Sequence, residues 1–128
     1  MRWLIDTNVW IDASAGFADA QQVLSRARDA AVIWAGYCAI TLVEALGFAN
    51  LTVVDDLAFR QIFGEFYEVP IASDIIEEAI KIRRGVRIKT PDALIAASAI
   101  ISNATLITRN TTDFKNIPTL QVLATDKV

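Results

Sequence analysis

With 128 residues, 54% of them hydrophobic and 21% charged, the chain is long enough for one domain built around one apolar core. Its net charge of −3 weighs mildly against nucleic acid as a partner, so any such partner has to meet a local basic patch. The absence of histidine removes the usual general base and zinc chemistry, the single cysteine excludes an internal disulfide framework, and no apolar run reaches the ~20 residues of a membrane span.

In chain order, Arg2–Ile5 reads as a short buried strand. It ends on Asp6, a residue that avoids strands and is costly to bury. Asp6 therefore either caps the helix that follows or belongs to a site at the strand's tip. Phe17–Ala30 has helical spacing, with Phe17, Ala20, Val23, Leu24 and Ala27 on one face. Ala31–Tyr37 is a second buried strand, a helix begins over Thr41–Asn50, and Leu57–Phe66 gives another with an apolar stripe. Tyr67–Ile71 is a short strand interrupted by Pro70, which places it at a sheet edge. Ser73 caps a helix running to Arg84, and Pro91–Ser102 is a helix with proline at its favoured first position. Ala104–Thr108 and Leu120–Leu123 are the last two strands. Strands alternating with helices predict an α/β fold, a parallel sheet sandwiched between helices with right-handed crossovers. Residues 1–128 contain no repeat or linker and read as a single domain. Only Arg2 is charged before Asp6 and no signal-peptide pattern follows, so a cytoplasmic location is expected, in keeping with the lone Cys38.

In such sheets, ligands bind beyond the carboxyl ends of the strands. Asp6 lies there after the first strand, Asn110 and Asp113 after the fourth, Glu44 just past the second, and Asp92 in the first turn of the Pro91 helix. Each acid also has a structural explanation. Thr41-Leu-Val-Glu44 matches a capping box, Asp92 suits the helix dipole, Asp113 can make an Asx turn, and Asp6 can be an N-cap. Capping does not require all of them to lie at one end of one sheet. Clustered carboxylates raise one another's pKa unless a cation neutralises them, and an all-oxygen set suits Mg²⁺ or Mn²⁺. A glycosidase dyad needs only two acids, and a phosphate-binding loop needs glycines that are absent here. The acids thus favour a hard-metal site for phosphoryl chemistry.

LIDTNVWID, TLVEAL, KTPDALIAASAI and LITRNTTDF, in this order and spacing, resemble the PIN-domain nucleases. The likeness is greatest to the small VapC-type toxins of bacterial and archaeal toxin–antitoxin pairs, and it covers essentially the whole chain. It implies a three-layer PIN-like sandwich with a parallel five-stranded sheet, Mg²⁺- or Mn²⁺-dependent endoribonuclease activity, and neutralisation by a co-encoded antitoxin. Carried over residue by residue, the family's acidic set falls on Asp6, Glu44, Asp92 and Asp113, with supporting polar groups at Thr7 and Asn110.

Two further features bear on partners. KIRRGVRIK carries five cations and no acid, and its Arg84, Arg87 and Lys89 are candidate RNA contacts, although cations also suit a helix end. Between Leu42 and Phe66 the apolar residues, Phe48, Leu51, Phe59 and Phe63 among them, exceed what two short helices can bury. The surplus predicts an interaction patch, read through the resemblance as an antitoxin groove and a two-fold dimer contact. Competing readings fare less well. A phosphorelay receiver needs paired acids at the first strand and a late lysine, whereas Thr7 follows Asp6 and no lysine follows the fifth strand until Lys127. A haloacid-dehalogenase-like phosphatase needs a second acid where Asn8 stands. A non-catalytic scaffold of the same shape remains an alternative that RNA cleavage would separate from an enzyme.

Overall fold

In the computed structural model, which describes residues 1–128, the first half of the chain runs β1 (Arg2–Ile5), α1 (Thr7–Ser14), α2 (Ala18–Ala27), β2 (Trp34–Cys38), α3 (Ile40–Leu46) and α4 (Val53–Phe63). The second half runs β3 (Tyr67–Val69), α5 (Ser73–Gly85), α6 (Thr90–Ile101), β4 (Thr105–Thr108), α7 (Thr111–Phe114) and β5 (Val122–Ala124), closing on a 3-10 turn at Thr125–Lys127. All five strands are parallel, in the order β3-β2-β1-β4-β5. This is the predicted α/β sandwich, with the Pro70-interrupted strand at an edge as expected. From β1 the chain winds outward through β2 and β3, then crosses back to β4 and β5. The winding therefore reverses beside β1, and the carboxyl ends of β1 and β4 flank the crevice where open α/β sheets bind ligands.

The period-2 alternation of each strand feeds two cores. Leu4, Cys38, Val69 and Leu106 face α5 and α6, meeting Ile75, Ile82, Ile95 and the alanines Ala93, Ala96, Ala97 and Ala99. Trp3, Ile5, Ala35, Tyr37 and Ile107 face the other way, against Val9 and Trp10 of α1, Val23 and Leu24 of α2, and Phe63 of α4. Trp10 anchors α1 to the sheet. Its ring lies 4.7 Å from that of Phe63, 5.2 Å from Phe66 and 5.8 Å from Tyr37, and its Nε1 donates to the Ile5 carbonyl at 3.1 Å.

Several local expectations need correction. The strand expected from Ala31 begins at Trp34, because the chain before it is turned back by the bond from Val32 N to Asp29 O. The helix expected over Thr41–Asn50 is Ile40–Leu46 and stops at Gly47. The helix expected from Leu57 starts at Val53, where the Thr52 hydroxyl accepts from Asp55 N at 3.0 Å. Ser73 is not a cap but the first residue of α5, and Asp74 Oδ1 instead takes Ile75 N at 2.8 Å. β3 ends before Pro70 rather than running to Ile71, and the last strand begins at Val122 rather than Leu120. No helix is long and apolar enough to cross a membrane.

Candidate active site

Asp6 terminates β1 and is the N-cap of α1, with extended dihedrals of φ −67° and ψ 153°. Its Oδ1 accepts from Thr7 N at 2.7 Å, so the cap is real. Oδ2 is held separately, by Thr108 Oγ1 at 2.7 Å and Asn8 Nδ2 at 3.1 Å. The two explanations offered for Asp6 are therefore compatible, since one oxygen caps the helix and the other reaches across to β4. The residue is only 4% exposed. Burial pushes its carboxyl up to about 6, helped by the charges of Asp92 and Glu44 and opposed by the bonds from Thr108 and Thr7. No lysine or arginine bonds to it.

Glu44 does not form the capping box its sequence context matches. The N-cap of α3 is Ala39, one residue before the helix and two before Thr41, and no side chain caps it. Glu44 Oε1 instead accepts from Thr7 Oγ1 at 2.8 Å, and Thr7 Oγ1 lies 2.9 Å from Thr41 Oγ1. Thr7 thus touches Asp6 through its backbone and Glu44 through its hydroxyl, tying the tips of β1 and α3 together. Asp92, half-buried in the first turn of α6, makes no side-chain cap bond. Burial raises its carboxyl, the charges of Asp113 and Glu44 raise it further, and Lys89 opposes them. Asp113, exposed in α7, lines a cavity of about 570 Å³ together with Asp92, Arg83, Arg87, Lys89 and Asn116. The strand order thus links the four acids through Asp92: its charge and that of Glu44 act on Asp6, and the charges of Asp113 and Glu44 act on Asp92.

Other expected positions are only partly met. Asn110 joins through its backbone, its N–H donating to Thr108 Oγ1 at 3.0 Å, while its side chain is exposed and caps nothing. The amide side chain that reaches Asp6 is that of Asn8, whose Oδ1 also accepts from Arg109 N at 3.3 Å. Arg87 and Lys89 line the cavity that holds Asp92 and Asp113, as does Arg83, but Arg84 does not. Arg83 and Arg84 are adjacent on α5, where successive residues project about 100° apart. Thr108, fully buried, escapes a reading of the sequence because a threonine in a strand carries no signal of its own. Asn8 stands in plain view beside Asp6, yet only the fold shows which of its neighbours it meets.

The donor set fits a hard cation. It is all oxygen, and burial, together with repulsion between the acids, pushes up the carboxyls of Asp6 and Asp92, with Lys89 opposing the shift at Asp92. No group of three such side chains is arranged to hold an ion unaided. Mg²⁺ does not demand one, because it keeps several waters and takes one or two carboxylates.

The fold and this edge define a class, a doubly wound α/β domain with a carboxylate pocket at its switch point. The chain matches the family model of the PIN domain over residues 3–120 and belongs to that family. Among solved structures it is similar to a chain of a toxin–antitoxin complex from Klebsiella pneumoniae, at 31% identity over 98% of each chain and a TM-score of 0.79. Two others share the fold. VapBC-1 from nontypeable Haemophilus influenzae matches at 24% identity over 99% of this chain and 100% of that one, with a TM-score of 0.76. VapBC2 from Rickettsia felis, bound to a DNA fragment from its promoter, matches at 23% over 97% and 98%, also at 0.76. No curated protein sequence matches the chain.

Proposed function

We propose that the chain is a divalent-metal-dependent endoribonuclease acting as the toxin of a toxin–antitoxin pair. The observation that carries the reading is the placement of Asp6, Glu44, Asp92 and Asp113, the positions the resemblance picks out, around the switch point of a PIN domain, with no lysine or arginine bonded to any of them. Membership of the family, in which metal dependence is general, and the likeness to toxin–antitoxin complexes support it.

Asp6 and Asp92 would be the central holders of Mg²⁺ or Mn²⁺, with Glu44 and Asp113 completing the pocket. The ion would supply charge neutralisation and Lewis acidity at the scissile phosphate. The chain's own residues do the rest. Thr108, Asn8 and Thr7 fix the Asp6 carboxylate, Thr7 fixes Glu44, and Arg83, Arg87 and Lys89 offer the cations that an acidic pocket needs to admit a polyanion. The chain lacks histidine, the usual base for a ribose 2′-OH, so this reading takes water as the nucleophile, and the resemblance to the PIN nucleases implies a product with a 5′-phosphate.

The antitoxin is assigned to the α3–α4 flank. Val43, Phe48, Val53, Val54 and Leu57 are 55% to 77% exposed there, and Phe48, Leu51, Phe59, Ile62 and Ile11 line a groove of about 400 Å³. Phe63, expected in the same patch, belongs to the core instead at 2% exposure. A two-fold contact between copies of the chain uses this apolar surplus as well.

The test is Asp92→Asn, which keeps the helix start and removes the charge. Cleavage should disappear while the circular dichroism spectrum and Tm stay near wild type, because losing a dipole contact costs under about 1 kcal/mol. A folded, fully active variant would end the metal-site reading, and a 2′,3′-cyclic phosphate product would end the hydrolytic one. Wild-type protein that folds but neither cleaves RNA nor binds Mn²⁺ would leave a non-catalytic scaffold.

A further inference from the structure

We infer that Thr41 is a positioning residue for Glu44, acting through Thr7. The inference rests on the reading of Glu44 as part of the acidic pocket. Thr7 Oγ1 lies 2.8 Å from Glu44 Oε1 and 2.9 Å from Thr41 Oγ1, and each hydroxyl has a single proton to give. Glu44 Oε1 is the acceptor of its bond, so the Thr7 proton goes to Glu44. The contact between Thr7 and Thr41 is then satisfied only if Thr41 donates. The proton order is fixed: Thr41 to Thr7, Thr7 to Glu44.

Both hydroxyls are shielded from solvent, Thr41 at 0% and Thr7 at 7% exposure, so water does not substitute for either bond. A threonine inside a helix ordinarily turns its hydroxyl back to a carbonyl of the preceding turn. Thr41 spends its proton on another helix. It is not a cap, since Ala39 is the N-cap of α3. The relay holds Glu44 Oε1 and leaves Oε2 as the oxygen without a protein partner. Donation from Thr41 also polarises the Thr7 hydroxyl and strengthens its bond to Glu44, as successive hydrogen bonds in a chain do.

The test is calorimetric titration of the intact chain with Mn²⁺, using Thr41→Val, Thr7→Val, the double variant and Thr41→Ser. Thr7→Val should weaken binding about tenfold, the usual effect of removing a partner that orients a ligating carboxylate. Thr41→Val should weaken it by a smaller factor, and Thr41→Ser should restore it. The double variant should bind no worse than Thr7→Val alone, because Thr41 has no route to Glu44 except Thr7. Wild-type affinity in Thr41→Val, failure of the serine, or additive losses in the double variant would each overturn the inference. Should Thr41→Val not fold, the hydroxyl proton of Thr41 decides by NMR of the wild type. Slow exchange with a cross-peak to Thr7 supports donation, and rapid exchange refutes it. Wild-type protein that binds no Mn²⁺ sinks the metal reading instead, and the same hydroxyl proton still judges the relay.

Discussion

A buried carboxylate without a counter-cation makes the metal-free protein less stable than it need be, and Asp6→Asn measures by how much. The Asp6 carboxyl rises from an ordinary 3.8 to about 6, chiefly through burial. Between those values the folded chain holds a proton that the unfolded chain has released. Stability therefore falls as pH rises through this window and levels off above it. Converted at about 1.4 kcal/mol per pH unit, the ionised Asp6 costs the fold about 3 kcal/mol at neutral pH. The substituted amide keeps an oxygen for Thr7 N, so the cap survives, but its NH₂ meets the Asn8 amide where Oδ2 had accepted. Losing that bond and reorienting the Thr108 hydroxyl returns about 1–2 kcal/mol of the gain. In EDTA at pH 7.5 the variant should therefore be more stable by about 1–2 kcal/mol, or roughly 3–8 °C in Tm for a domain of this size. At pH 4.5, where native Asp6 is already protonated, the advantage should vanish. Excess Mg²⁺ should reverse the order by stabilising only the wild type. Thermal unfolding at both pH values, with and without metal, reads all three. A variant less stable than wild type at pH 7.5 in EDTA would refute the claim that Asp6 is an uncompensated buried charge.

Replacing Arg83, Arg87 and Lys89 with alanine should weaken RNA binding across sequences and flatten its dependence on salt, by about one unit of log–log slope for each phosphate no longer neutralised. Arg84→Ala should leave the slope unchanged, which filter binding over a salt series would show. Gly36→Ala should destabilise the edge of the sheet by about 1–3 kcal/mol, because a Cβ there would lie 2.5 Å from the Tyr67 carbonyl and 2.7 Å from the Trp34 ring. A urea midpoint equal to wild type would mean that β2 and β3 have room to part. Phe59→Glu, half-buried in the α4 groove, should abolish capture of a co-expressed antitoxin while the free protein still cleaves RNA. Retained capture in a pull-down would move the antitoxin elsewhere.

The elements are legible in the sequence where one period dominates. Trp3 and Ile5 alternate with Leu4, the alanines of α6 recur at helical spacing, and Pro70 marks an edge, all of which are local consequences of side-chain direction. The same local rules mislead at Thr41 and Glu44, whose spacing satisfies a capping box that the backbone does not form, because α3 begins a residue earlier and turns both side chains toward α1. Which side chains share the site is a different kind of fact. Thr108 meets Asp6 across 102 positions of sequence because β4 pairs with β1, and Glu44 meets Thr7 because β2 flanks β1 on the other side. Local patterning places an acid at a strand's tip, and it is silent about which tips are neighbours. With β1 central and the winding reversed beside it, Asp6 is the residue that both halves of the sheet must approach. That position explains why the N-cap of one short helix is also bonded from β4, buried and pushed up in pKa. A cap at an outer strand would have kept its water, and with it an ordinary carboxylate.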